Sequence, residues 1–174
     1  MSFELLKFIE THLKEGFSQT RFRQPDAKPG EYAPVQFHIG ALMPKRKNNS
    51  PDYQAQSEYP YIVNRQVGVD DSPGEMIITV KTLVGIYTDG DPAHGDEELF
   101  NMAARIRRLF LEARILGNRY ELVHPLKSAF GDQGDDHRQP HPYHVGAIVS
   151  QWRTAPIEPL LSVEEETRIY GSGL

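Results

Sequence analysis

From the first residues to Phe17 the apolar positions Phe3, Leu6, Ile9, Leu13 and Phe17 recur at steps of three and four, with Lys7, Glu10 and Lys14 between them. That spacing predicts an amphipathic helix ending near Gly16. A turn-rich linker follows at Gln24-Pro25-Asp26-Ala27-Lys28-Pro29-Gly30. The period then shortens to two: Val35, Phe37, Ile39 and Ala41 alternate with Gln36, His38 and Gly40, as in a half-buried strand. Two long alternating runs come next. Tyr59, Tyr61, Val63, Arg65, Val67 and Val69 share one side of the first; Met76, Ile78, Val80, Thr82, Val84 and Ile86 share one face of the second, with Ile77, Leu83 and Tyr87 on the other. Asp70-Asp71-Ser72-Pro73-Gly74 separates them and predicts an antiparallel hairpin, with the aspartates as turn residues. Both runs exceed the usual strand length of about 5–6 residues. A hairpin of that length is expected to project beyond the globule or to bend around a ring.

The helical period returns from about Asp96 to Leu116, where Leu99, Ala103, Ile106, Phe110 and Ala113 form a stripe opposite Asn101, Arg105, Arg108 and Glu112. Asp96, Glu97 and Glu98 crowd its start, where carboxylates meet free amides and the positive end of the helix dipole. Gly117-Asn118 is expected to stop it. Arg108 and Glu112, four apart, are placed to pair for about 0.2–0.5 kcal/mol. Tyr120, Leu122 and Val123 predict a short strand ending at His124-Pro125, and a Gly/Asp loop runs through 130–136. Tyr143, Val145, Ala147 and Val149 alternate with His144, Gly146, Ile148, Ser150 and Trp152 in a last strand. Helix, strand, long hairpin, helix and two strands make an α+β fold: a single antiparallel or mixed sheet with two helices packed on one face. One domain is expected over 1–155, followed by an extended arm over 156–174 that carries Pro156, Pro159 and Glu164-Glu165-Glu166. Residues 43–57 are polar and read as a long surface loop. Loops of that length are usually functional or disordered, and both an ordering against a neighbour and a plain connection fit.

Composition narrows the classes. A chain of 174 residues suits one domain and buries roughly 70% of its unfolded surface. The formal charge of −5 opposes a broad grip on nucleic acid, which needs clustered Lys and Arg. Lys45-Arg46-Lys47 is a local basic patch, read as a solvated loop and as a candidate partner contact. The absence of cysteine excludes disulfides, thiolate zinc sites and Cys nucleophiles. The start MSFELLKFIETHLKEGF lacks the features of a signal peptide. No window approaches the roughly 20 apolar residues of a membrane span, so a cytoplasmic, soluble protein is expected.

The polar side chains offer few chemical constellations. His137, His141 and His144 lie close together beside Asp135 and Asp136 and are the candidate metal ligands, but Pro140 and Pro142 forbid the helix that would converge them. A polar loop entering a strand accounts for them as well. Asp89-Gly90-Asp91 opens like a calcium loop, but His94 stands where the sixth-position glycine belongs. No dinucleotide, Walker A or nucleophile-elbow motif occurs. Asp70 and Asp71 are turn residues before they are an acid–base pair. Trp152 is read either as a partner-binding anchor or as a buried sheet aromatic. Asp70, Asp71 and Trp152 join the basic patch as candidate interface residues, since long unpaired strand edges recruit other chains.

The block from Tyr61 to Trp152, taken in order, resembles the tail terminator or tail completion proteins of long-tailed bacteriophages. The likeness is carried by the hairpin YPYIVNRQVGVDD and EMIITVKTLVGIYTDGD, the helix DEELFNMAARIRRLFLEARIL, the following YELVHPLKSAF, and HVGAIVSQWRTAPI. The resemblance implies structural work without catalysis or cofactor. Small α+β subunits of that kind form a hexameric ring that caps the tail tube at its head-proximal end and offers a surface for head joining. It implies copies of this chain, tail tube and neck proteins as partners, with neither membrane nor specific nucleic acid. It also implies a life in the host bacterial cytoplasm and then in the virion tail. Other readings stay open: a neck or head–tail adaptor protein, a small metal enzyme or hydrolase using the three histidines, or a host-derived binding module.

Overall fold

A computed structural model describes residues 2–25, 28, 31–41, 59–130 and 142–155. The fold is α+β. Helix α1 covers Ser2–Gly16, and strands β1 (Arg21–Arg23), β2 (Tyr32–Pro34) and β3 (Gln36–Ile39) follow. Strands β4 (Tyr61–Ser72) and β5 (Glu75–Tyr87) precede helix α2 (Pro92–Ala113). Strands β6 (Ile115–Leu116), β7 (Tyr120–Phe130) and β8 (Tyr143–Thr154) complete the described chain. A six-stranded mixed sheet runs β3-β4-β5-β8-β7-β6, with β3 parallel to β4 and the other pairs antiparallel. β1 and β2 form a separate two-stranded sheet; three residues per strand are too few to show alternation in the sequence.

Both helices lie on one face of the sheet, α1 over β3 and β4, α2 over β5, β8 and β7. In α1 the buried stripe is Leu5, Leu6, Ile9 and Leu13, continued by Phe17. Phe3, expected on that stripe, is 56% exposed because the stripe is rotated toward Leu5. Met76, Ile78, Val80, Thr82, Val84 and Ile86 are buried beneath the helices, as the alternation of β5 requires. Trp152 stands on the same face, edge-on to Phe110 of α2 at 5.6 Å, and its Nε1 donates to Ser150 Oγ at 2.9 Å. The helices are tied to each other by polar bonds to main chain: Arg105 Nη2 donates to Gly16 O at 2.7 Å, and His12 Nε2 reaches Leu109 O at 2.9 Å. Arg105, expected on a solvated face, therefore caps the end of α1.

Four boundaries differ from the expectation. α2 begins at Pro92, not Asp96, because Asp91 caps it: the Asp91 carboxylate accepts from Ala93 N at 3.0 Å, and proline suits the first helical position. α2 ends at Ala113, where Arg114 takes φ 51°. Gly117 (φ 58°) and Asn118 (φ 54°) turn the β6–β7 hairpin and do not cap the helix. β7 continues through Pro125, which sits where the register with β8 breaks between Val123 and Lys127; a residue without N–H is tolerated at such a break. Asp70 and Asp71 lie inside β4, paired with Ile77 and Met76, and the turn is Pro73-Gly74 alone, with Gly74 at φ 92°. The β4–β5 hairpin does not project alone, since β8 accompanies β5 from Tyr87 to Met76.

Candidate assembly surface

Among the described residues the second face of the sheet carries no helix, and its side chains are placed by strand register. Five cross-strand rows run across it. Tyr61 stands opposite Gly85 and Val145, and Val63 aligns with Leu83, Ala147 and Ala129. Arg65 aligns with Lys81, Val149 and Lys127. A β-bulge between Gln66 and Gly68 then shifts the pairing by one residue. Beyond it Gly68 aligns with Thr79, Gln151 and Val123, and Asp70 with Ile77, Arg153 and Glu121.

The rows form a gradient from aromatic to charged. At one end Tyr59 packs on Tyr61 and on Tyr143, each at 5.0 Å, and Tyr143 on Tyr87 at 5.6 Å. Gly85 makes room for this group, since a Cβ there would meet the Tyr61 ring at 2.3 Å. Val63 and Ala147 in the next row are buried. At the far end Arg153 is compensated by Glu75 at 3.0 Å and Glu121 at 3.7 Å. Between these lies the basic row. Arg65 and Lys127 are exposed, Lys81 half-buried, and none of the three joins an ion pair among the described residues. Arg65 and Lys81 are direct cross-strand partners, where like charges are unfavourable.

Two strand edges also lie open among the described residues. β3 pairs with β4 only along Tyr61–Asn64, leaving Arg65–Ser72 without a neighbour on that side. β6 covers β7 only at Tyr120 and Glu121. Pro125 and Lys127 break up the β7 edge, in the way edges are commonly protected. The β4 edge instead presents Val67 at 52% and Val69 at 40% exposure.

The candidate residues fare differently. Asp70 and Asp71 are exposed near the hairpin end. Trp152 is fully buried under α2, so it is a core side chain and offers no surface to a partner. His144 is buried on the helix side, its Nδ1 2.9 Å from Asp96 Oδ1. Gly95 lies against its ring, where an added Cβ would meet Nε2 at 2.2 Å. His137, His141, Lys45, Arg46 and Lys47 lie outside the described residues, as do the loop 43–57 and the arm 156–174. Among the described residues no group of three His, Cys, Asp or Glu is placed to hold a metal ion. No described helix is long and apolar enough to cross a membrane. Arg65, Lys81 and Lys127 were missed as a group because they come from three strands. Only register and the bulge bring them into one row.

No protein-family model matches this sequence, and no curated protein matches it.

Proposed function

We propose that this chain is a structural subunit of a bacteriophage or prophage tail, similar to a tail terminator. It would assemble with copies of itself into a ring at the head-proximal end of the tail tube and help to join the head. The sequence resemblance from Tyr61 to Trp152 supplies the family of the reading. The observation that carries self-assembly is the distal half of β4. There a backbone edge that no other described strand covers is combined with exposed Val67 and Val69 and with exposed Asp70 and Asp71. Unpaired strand edges with apolar side chains are surfaces that other chains cover. Heterologous contacts between identical subunits close into rings when the rotation between neighbours allows it. In this role the chain makes no bond and breaks none; its work is shape and contact.

The test is location. A gold-labelled antibody to the chain is applied to tailed particles from the strain that encodes it and viewed by negative-stain microscopy. Label at the neck end of the tail supports the reading. Label absent from particles, or spread along the tail, contradicts it.

A further inference from the structure

We infer that the basic row Arg65, Lys81 and Lys127 is the seat of the acidic hairpin end, Asp70 and Asp71, of a second copy of this chain. The inference rests on the self-assembly proposed above and names the contact through which it occurs.

Three observations carry it. First, the row is uncompensated where the same face compensates a cation elsewhere. Arg153 sits between Glu75 and Glu121, whereas Arg65, Lys81 and Lys127 join no ion pair among the described residues. Two like charges directly across a strand pair oppose folding, so their arrangement calls for an anion beyond those the described residues supply. Second, the chain displays matching anions. Asp70 and Asp71 are exposed and join no ion pair among the described residues. Third, the neighbourhoods match. The acidic end carries exposed Val67 and Val69, and the basic row adjoins half-buried Leu83 and exposed Ala129 of the apolar row.

Within one subunit the two features cannot meet. Lys81 and Ile77, the β5 members of the basic and acidic rows, are four residues apart on one strand, about 13 Å at ~3.3 Å per residue. A second copy displaced along the strands brings one onto the other. A nucleic-acid backbone is the competing anion, and the formal charge of −5 opposes it by repelling a long polyanion.

The experiment is a charge-swap cycle on the full chain, read as light-scattering mass against concentration at low and high salt. One variant carries Arg65→Glu with Lys127→Glu, a second carries Asp70→Lys with Asp71→Lys, and a third combines all four. Lys81→Gln serves as a milder probe of the same row, and circular dichroism checks that each variant folds. The wild type is expected to associate at low salt and to weaken as salt screens the contact. Each swap is expected to weaken association about tenfold or more, and the combination to restore it.

Three results overturn the inference: association that no swap alters, loss without rescue in the combined variant, or a wild type that stays monomeric at low salt up to its solubility limit. Retention on generic duplex DNA, lost on reversing the basic row and indifferent to Asp70 and Asp71, also overturns it in favour of nucleic acid. A rescued pair whose assembly stops at a dimer upholds the contact and contradicts the ring, so the two readings fail separately.

Discussion

Tyr120 is fully buried, and its hydroxyl donates to Glu4 Oε2 at 3.1 Å. Burial first, and then that bond, push its pKa above the ordinary value of 10.0, with nearby Arg119 opposing the rise. The folded state thus holds the phenol proton more tightly than the unfolded chain does. That contribution is intact below the ordinary value and is lost as pH rises through the raised folded one. Thermal midpoints measured through the alkaline range should fall more steeply for the wild type than for Tyr120→Phe. Gly95 gives a second prediction. A methyl group there would meet His144 Nε2 at 2.2 Å and Thr88 Cγ2 at 2.4 Å. Gly95→Ala should therefore cost about 1–3 kcal/mol through overpacking, read as a lowered urea midpoint. Lys81 predicts the opposite sign. Lys81→Glu turns a repulsive cross-strand pair with Arg65 into an attractive one, worth about 0.2–1 kcal/mol. The isolated subunit should melt no lower than the wild type, even where its assembly is weakened.

At the scale of elements, periodicity made most of the fold legible and local chemistry hid the rest. The alternation of Met76 to Ile86 named the buried face of β5, and the spacing of Leu99, Ala103, Ile106 and Phe110 named that of α2; all are buried. The exposed Arg108–Glu112 pair forms as its spacing suggested, with Nε 3.5 Å from Oε1. The start of α2 was misplaced because three acids at 96–98 outweighed Asp91-Pro92, a capping pair that places the start four residues earlier. The β4 bulge escaped notice because alternation continues through Val63, Arg65, Val67 and Val69, so nothing in the letters marks the extra residue. Its effect on the surface is large: Asp70 reaches the helix-free face only beyond it. Deleting Val67 should remove the extra residue and leave Gly68 opposite Thr79 and Asp70 opposite Ile77, so the side chains that follow keep their faces. The expected outcome is retained association with helix content unchanged by circular dichroism. Lost association would mean that the bulge itself, and not the face on which Asp70 stands, carries the contact.

At the scale of the molecule, one face of the sheet closes the core under two helices, and the other is graded from tyrosines to cations that no described acid compensates and then to acids. The first face was written in hydrophobic period. The second was not, because a cross-strand row gathers residues separated by up to 84 positions, Arg65 to Val149, and depends on register. Trp152 shows the same limit from the other side: its place on the strand was legible, but whether it faced a helix or a partner was decided by α2. Self-association through the helix-free face is the central claim, and native mass spectrometry of the full chain in low salt tests it most directly. The account predicts a closed assembly of six copies of the 19.8 kDa subunit that dissociates as salt is raised. A single 19.8 kDa species at every concentration, with or without tail tubes present, would contradict it.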